Sequence, residues 1–432
     1  MEFLSGLGIL LAFIILMIGA WKKVNLLIVT LASSTVIALF SGMGIAESWT
    51  GPYMSGFTAF ASQYLLLFCI GAMFGKVLED SGAGWRLANT IANKAGDKWS
   101  LPAFTAVTIL LLYGGVSIFV IVFFILPIGK SLFQRLRIPW SYFPAIALIG
   151  TIPPVGMLPG SLQVLNIIPT QFLGTDLTAG IGIGLIASII YLILAAIFVR
   201  LILRNAERDF SIEEFNNISS ADIDEKKLAE TAPNALLSII PILSALLLIN
   251  ILKMDIVFGL LIASLIGIIL FWKALPNIKE TVSKGVENGI LPLIYVSVVV
   301  GVARVVQAAP FFEVMRNALL DMQVNGMLKI MATTSTVSAM TGSSSGSMTM
   351  ILDLFGEEFL SWGYHPELVH RLMATTAIGF DSLPWNSVIV VMFTLSGVAY
   401  AKGYKYAFVT SVILPILAAL AIVLASPLFY PV

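Results

Sequence analysis

Runs of roughly 20 mostly apolar residues recur along the chain, at 3–20, 24–43, 59–78, 178–201, 234–252, 255–272, 287–306 and 404–428. That is the length a helix needs to cross the hydrocarbon core of a bilayer, where each backbone N–H and C=O must find its partner within the protein. The runs predict an all-α polytopic membrane protein. Composition agrees: 58% of the 432 residues are hydrophobic and only 11% are charged, against about 25% charged in soluble domains. A water-soluble core could not hide so much apolar surface. The formal net charge is zero, so nothing points to a nucleic acid. Cys69, the only cysteine, sits in an apolar run and reads as a small core hydrophobe. Glu2 precedes the first run and Lys22 and Lys23 follow it, the reverse of a secretory signal's charge order. That run is expected to stay as an anchor helix.

Three stretches are too long or too broken for a simple crossing. Residues 100–129 carry Gly114-Gly115 in the middle. Residues 140–174 carry Pro144, Pro153, Pro154, Pro159 and Pro169. Residues 324–397 hold Thr341-Gly-Ser-Ser-Ser-Gly-Ser347 and then Asp381-Ser-Leu-Pro-Trp-Asn386. Gly and Pro clusters break helices, and broken backbone at membrane depth survives only where protein buries it or it lines a wet cavity.

These breaks repeat. A shift of about 226 residues brings Gly75 onto Gly301, Trp85 onto Phe311, Gly115-Val-Ser117 near Gly342-Ser-Ser344, and Leu158-Pro159 onto Leu383-Pro384. The order and spacing of the breaks carry the signal, since residue identity is low. If 100–129 and 324–358 are re-entrant hairpins, and 140–174 and 368–397 interrupted crossings, each half has five transmembrane helices, one of them interrupted, plus one hairpin. An odd number of crossings inverts the second half. The repeats are then 1–203 and 234–432, joined by the polar linker 204–233. With the N-terminus outside, all of the 24 Lys and Arg except Lys253, Arg304, Arg316, Lys329 and Arg371 lie on the cytoplasmic side, as the positive-inside rule asks.

An anion at the bilayer midplane needs donors without an unpaired permanent charge. Half-helix N-termini supply free N–H groups and the positive dipole end, and Ser, Thr, Asn and Gln add neutral donors. Four places offer them. The first hairpin tip has Gly114, Gly115 and Ser117. The first broken crossing has Gly160, Ser161 and Gln163, with Asn166 beyond. The second tip has Thr341, Gly342, Ser343, Ser344 and Ser345. The second broken crossing has Ser382, Asn386 and Ser387. These are the expected substrate-binding residues. Each Pro of the two Leu-Pro breaks suits the first turn of a new half-helix. Taken singly, Gly114-Gly115 also reads as a close helix contact, the Ser-rich tip as a polar loop, and each Leu-Pro as a kink.

Asp381 lies between the apolar runs 373–380 and 388–395. An intramembrane carboxylate is a functional residue by default, commonly in proton or cation coupling. Its ordinary reading is an N-cap for the second half-helix. Glu79 and Asp80, beside Lys76, read as a solvated helix end. Trp49, Tyr53, Trp99, Trp140 and Tyr142 read as an aromatic belt. Gly342-Ser-Ser-Ser-Gly346 matches the pattern of a hydrolase nucleophile, but that motif needs a strand–turn–helix and a positioned His, and His365 and His370 are expected in an outside loop. No metal, nucleotide or other cofactor motif is present, so the chain reads as a transporter and not an enzyme.

Three stretches resemble the gluconate permease family of bacterial symporters: Gly71-Ala-Met-Phe-Gly-Lys-Val-Leu-Glu-Asp-Ser-Gly82, Tyr113-Gly-Gly-Val-Ser-Ile-Phe-Val120 and Gly379-Phe-Asp-Ser-Leu-Pro-Trp-Asn386. The family is placed in the ion-transporter superfamily. The resemblance implies an inner-membrane homodimer working by an elevator motion, with scaffold helices at 3–99 and 234–323 and a transport domain from the hairpins and broken helices at 100–203 and 324–432. It implies proton symport of a small organic anion, with Asp381 as the coupling residue the sequence offers; sodium is the alternative coupling ion. Where the gluconate branch has a Pro-Pro-His-Pro-Gly-Pro-like run, this chain has Pro153-Pro-Val-Gly-Met-Leu-Pro-Gly160, which suggests a less polar pocket. The Asp-Ser-Leu-Pro stretch looks more like the branch for hydroxybutyrate and other short monocarboxylates, although that branch usually shows His at the position of Trp385.

Overall fold

Polar caps and left-handed glycines, set between apolar runs, cut the chain into helices. The computed structural model describes residues 2–22, 24–113, 118–161, 163–204, 206–212, 215, 231–252, 254–342 and 344–431. In the first half α1 (Glu2–Trp21) leads to α2 (Leu26–Ser41), which starts where Asn25 accepts the Leu27 N–H and stops at Gly42, φ 69°. Then come α3 (Ile45–Asp80), amphipathic α4 (Ala83–Ala95), the hairpin arms α5 (Asp97–Tyr113) and α6 (Ile118–Arg135), α7 (Phe143–Ile152), α8 (Val164–Leu173) and α9 (Ile181–Leu203). The second half repeats the order. It has α10 (Ala235–Leu246), α11 (Ile256–Leu270), α12 (Ile278–Ala308), α13 (Phe311–Leu320), arms α14 (Gly326–Thr341) and α15 (Ser344–Ser361), α16 (Pro366–Asp381), α17 (Ser387–Ser396) and α18 (Tyr400–Phe429).

Helix α1 thus has its counterpart in α10, α2 in α11, and so on to α9 and α18. The shift that aligns the sequence breaks carries α6 onto α15 from end to end. Contacts exchange in the same way. Helix α2 packs on α12 and α11 on α3; α6 packs on α17 and α15 on α8; α4 packs on α10 and α13 on α1. Such an exchange is what a two-fold relation between the halves produces.

The centre is the crossing of α3 with α12, the most extensive helix contact described. Small residues let the two backbones meet. A Cβ on Gly289 would stand 2.4 Å from the Phe68 carbonyl oxygen, and one on Gly56 2.6 Å from that of Val300. Among the described residues α1, α3, α9, α12 and α18 are long and apolar enough to cross a membrane, and α2, α8, α11 and α17 are shorter apolar helices. Outward-facing Leu10, Ile193, Phe258, Ile269 and Leu424 suit a lipid environment.

Several local expectations change. Trp140 and Tyr142 are buried rather than interfacial, with Trp140 Nε1 donating to the Ser396 carbonyl at 2.8 Å. Glu79 and Asp80 are not merely solvated. Asp80 accepts from Lys76 at 2.8 Å and from Thr281 of α12 at 2.7 Å, while Glu79 pairs with Lys130 of α6 at 3.2 Å. His365 caps α16, and His370 and Arg371 lie inside α16 with no exposed surface, not in a loop. Pro159 and Pro384 fall in the connections before α8 and α17, not in their first turns. Each helix ends two or three residues before its Pro, at Met157 and Asp381, and the next begins only where the backbone can turn into it.

Candidate functional site

The second break is built from the ends of three helices. Asn386 caps α17, its Oδ1 accepting the N–H groups of Val388 at 2.7 Å and Ile389 at 3.0 Å. Its Nδ2 donates to Asp381 Oδ1 at 2.6 Å and to the Gly342 carbonyl at 3.1 Å, so one amide ties the break to the hairpin tip. Ser344, the first residue of α15, hydrogen-bonds Asp381 through both its side chain and its backbone. The Asp381 carboxylate is thus held at the N-terminus of α15, where free N–H groups and the dipole favour an anion. The N-cap expected of Asp381 belongs to Asn386. Asp381 instead ends α16, and a helix C-terminus disfavours negative charge.

The carbonyls freed by the break are satisfied by tyrosines. Tyr400 donates to Pro384 O at 3.2 Å and Tyr404 to Ser382 O at 3.1 Å. Trp385 lies against the tip, its Nε1 donating to Ala339 O at 2.7 Å. Its ring stacks on Phe13 of α1 with centroids 4.3 Å apart.

The first break follows the same plan with different chemistry. Tyr113 donates to Pro159 O at 3.0 Å, and Gln163 Nε2 donates to Leu112 O at 2.6 Å, again tying an amide to the first hairpin arm. Gly160, φ 78°, makes the turn that non-Gly residues rarely adopt. Ser161 donates to Pro154 O and accepts from Gln163 N–H. Asn166 donates to Ser161 O and Leu177 O, both at 2.8 Å, and its Oδ1 accepts from Arg371 Nη2 at 2.9 Å with His370 Nε2 at 3.1 Å. Arg371 also donates to Ala179 O, at 3.1 and 2.7 Å, and to Gly156 O at 3.4 Å. Gly156 lies in the last turn before the break, so a buried cation faces the negative end of the first half-helix.

The expected site residues therefore divide. Asp381, Ser344, Asn386 and Gly342 converge. Thr341 and Ser382 spend hydroxyl bonds on carbonyls of their own helices, Val337 and Ile378. Ser161 and Asn166 are engaged in holding the first break. Ser345 and Ser387 are half-buried in the first turns of α15 and α17. Gly114, Gly115, Ser117 and Ser343 lie outside the described residues. Helix α16 joins the two breaks, with Arg371 and Thr375 on the first and Asp381 at the second; Thr375 donates to Gly156 O at 3.2 Å. Sequence reasoning missed Arg371 and His370. An Arg within a predicted interrupted crossing was the available signal.

Two cavities border α17, and the smaller adjoins the second break. One of about 690 Å³ lies between α3, α6, α12, α17 and α18, with Lys76, Lys130, Lys402, Glu79 and Glu287 in its wall. The other, of about 230 Å³, lies between the α1–α2 connection, α12 and the break, and Pro384 and Trp385 form one wall. Thr394 lines both. Among the described residues no group of three His, Cys, Asp or Glu could hold a metal ion.

Comparison with known proteins gives a family and relatives. Residues 4–352 match the profile of the GntP family permease. A Bacillus subtilis (strain 168) protein, the uncharacterized transporter YxjC, is 26% identical over 451 aligned positions, which cover 94% of this chain and 95% of that one. The gluconate permease of the same strain is 29% identical over 156 residues, 34% of either chain. The crystal structure of the Alcanivorax borkumensis YdaH transporter, reported to have an unusual topology, aligns with 88% of this chain and 89% of its own at 15% identity and a TM-score of 0.43. The motif resemblance holds at the level of the family: the molecule is a multi-pass membrane permease and not an enzyme. With most of its length matched, the chain belongs to the GntP permease family.

Proposed function

We propose that this permease imports a short hydroxy- or keto-monocarboxylate together with a proton. The observation that carries the reading is the donor set at the second hairpin tip. Ser344 and the Asn386 amide already hold a carboxylate, that of Asp381. In the proposed cycle a proton neutralises Asp381 and the substrate carboxylate takes over these donors. Two like charges about 4 Å apart at an effective dielectric near 20 repel by about 4 kcal/mol. Proton and anion therefore bind cooperatively and travel as a neutral pair. The short-monocarboxylate class is supported by the apolar Val-Gly-Met-Leu replacement at 155–158; the likeness to a gluconate permease supports the broader class of hydroxylated organic anions.

The two halves are proposed to be inverted in the membrane, with scaffold helices at 3–99 and 234–323 and transport elements at 100–203 and 324–432 on either side of a cytoplasmic linker at 204–233. The transport elements move as an elevator within a homodimer in a bacterial inner membrane. The cavity ringed by Lys76, Lys130 and Lys402 then opens to the cytoplasm. A sodium-coupled cycle would draw on the Gly342 and Leu383 carbonyls as cation ligands. Each already accepts a hydrogen bond from Asn386, which favours the proton.

Uptake into proteoliposomes tests the reading. A symporter accumulates acid above equilibrium when the outside is made acidic, and a protonophore collapses the gain. Asp381→Asn is expected to abolish that accumulation while sparing exchange of labelled for unlabelled substrate. Accumulation driven by sodium at constant pH with a protonophore present excludes the proton. Simple equilibration makes the protein a channel.

A further inference from the structure

We infer that the cavity of about 230 Å³ behind Trp385 receives the non-carboxylate end of the substrate, and that this end is a short aliphatic chain with a single hydroxyl or keto oxygen. The assignment rests on the transport reading above and names the part of the molecule that selects among acids.

Position comes first. The cavity shares its Trp385 wall with the hairpin tip. The indole N–H is spent on Ala339 O, and a Cβ placed on Gly342 would come within 3.3 Å of the same ring. Asn386, the next residue, supplies one of the donors that hold the Asp381 carboxylate. A carboxylate at those donors therefore has the cavity beside it, across one side chain. Thr394 lines both this space and the larger cavity, so the two lie on either side of one side chain.

Volume comes second. At roughly 30 Å³ per water-sized group, a cavity of about 230 Å³ holds about eight non-hydrogen atoms. With the carboxylate left outside, at its donors, a four-carbon hydroxy acid places about four such atoms in the cavity and fits, whereas a six-carbon sugar acid places about ten and does not.

The polar inventory comes third. Leu16, Val299 and Val390 make the wall apolar, while Asn25, Tyr295, Thr394 and Tyr400 are its polar members. Tyr400 donates its proton to Pro384 O, and the Asn25 oxygen caps α2. The hydroxyls of Tyr295 and Thr394 and the Asn25 amide nitrogen are what a ligand can use. That set serves one or two ligand oxygens. A polyol chain would leave most of its hydroxyls buried and unpaired, the situation that polar sites use to reject a ligand.

The test is a competition profile in proteoliposomes. Unbranched hydroxy acids of three to ten carbons, and gluconate, compete with the acid that the protein accumulates best. The wild-type profile should fall off once the part beyond the carboxylate exceeds about eight non-hydrogen atoms, with gluconate at least about 100-fold weaker. Leu16→Ala enlarges the cavity and should improve the next longer acid about tenfold relative to the shorter. Val299→Phe fills it and should move the profile towards shorter acids. Leu291→Phe, in the wall of the larger cavity only, should leave the chain-length profile unmoved. Monodispersity in detergent checks each fold, and Leu16→Ala alone decides if Val299→Phe does not fold. Accumulation with the same chain-length profile in Leu16→Ala as in wild type, or with gluconate preferred, overturns the pocket and leaves the transport reading standing. If wild type accumulates no acid of the panel, the transport reading fails and the pocket falls with it.

Discussion

Arg371 illustrates what a single side chain does in this fold. Its guanidinium has no exposed surface, and among the described residues no ion pair includes it. Burying a cation without a carboxylate is costly unless other negative potential replaces it. Here the replacement is the C-terminal end of the first half-helix at Gly156, the Ala179 carbonyl and the Asn166 amide oxygen. The planar fork spans three acceptors at once, which a lysine's single ammonium cannot do. Arg371→Leu orphans the buried Ala179 oxygen, at about 1–3 kcal/mol, and leaves Gly156 O and Asn166 Oδ1 with Thr375 and His370 alone. It should lower the melting temperature in detergent and remove transport, and Arg371→Lys should recover part of both. A melt unchanged in Arg371→Leu would show that the break does not depend on this residue. The charge was legible in the sequence; its placement was not. The charge count puts it on the outside of the interrupted crossing 368–397, whereas a polar side chain beside an interrupted helix is where an unsatisfied helix end finds its partner.

At the scale of elements the breaks were legible and their joints were not. Gly and Pro mark where a helix stops, and the order of hairpin and interrupted crossing in each half follows from them. Where the next half-helix starts depends on which side chain can take up its free N–H groups. That is Asn386 for α17, while Gln163 before α8 makes no such cap. A cap that also bridges to Gly342 and Asp381 does two jobs, so the two tip residues should behave differently on truncation. Asn386→Ala loses a cap worth about 1 kcal/mol and the bridge, and should lower both stability and affinity. Ser344→Ala removes one bond to a charged group, worth about 1.5–3 kcal/mol. It should weaken substrate binding by roughly 10- to 150-fold with little change in melting. Equal loss of stability in both variants would place Ser344 among the groups that only hold the fold.

The whole molecule poses the question of which way each half faces. The exchange of contacts between halves is what a two-fold axis would produce. An axis in the membrane plane turns every loop of the second half to the opposite side from its counterpart. The charges argue for that orientation. Arg371, one of the few cations counted outside, is buried within α16 and so does not weigh against the rule. Asp97 and Gln323 give the sharpest comparison. Asp97 opens hairpin arm α5 and Gln323 stands just ahead of the equivalent arm α14, related by the repeat's own shift, and both are exposed. Cys69, the only native thiol, is buried, so single cysteines can be read over a low background. In the inverted arrangement Asp97→Cys and a cysteine at Asn216 of the linker react with a membrane-impermeant maleimide only in inside-out vesicles. Gln323→Cys reacts only in intact cells. Labelling of Asp97→Cys and Gln323→Cys from the same side would mean that the halves are parallel. Each hairpin would then enter from one face, and the odd number of crossings per half could not stand.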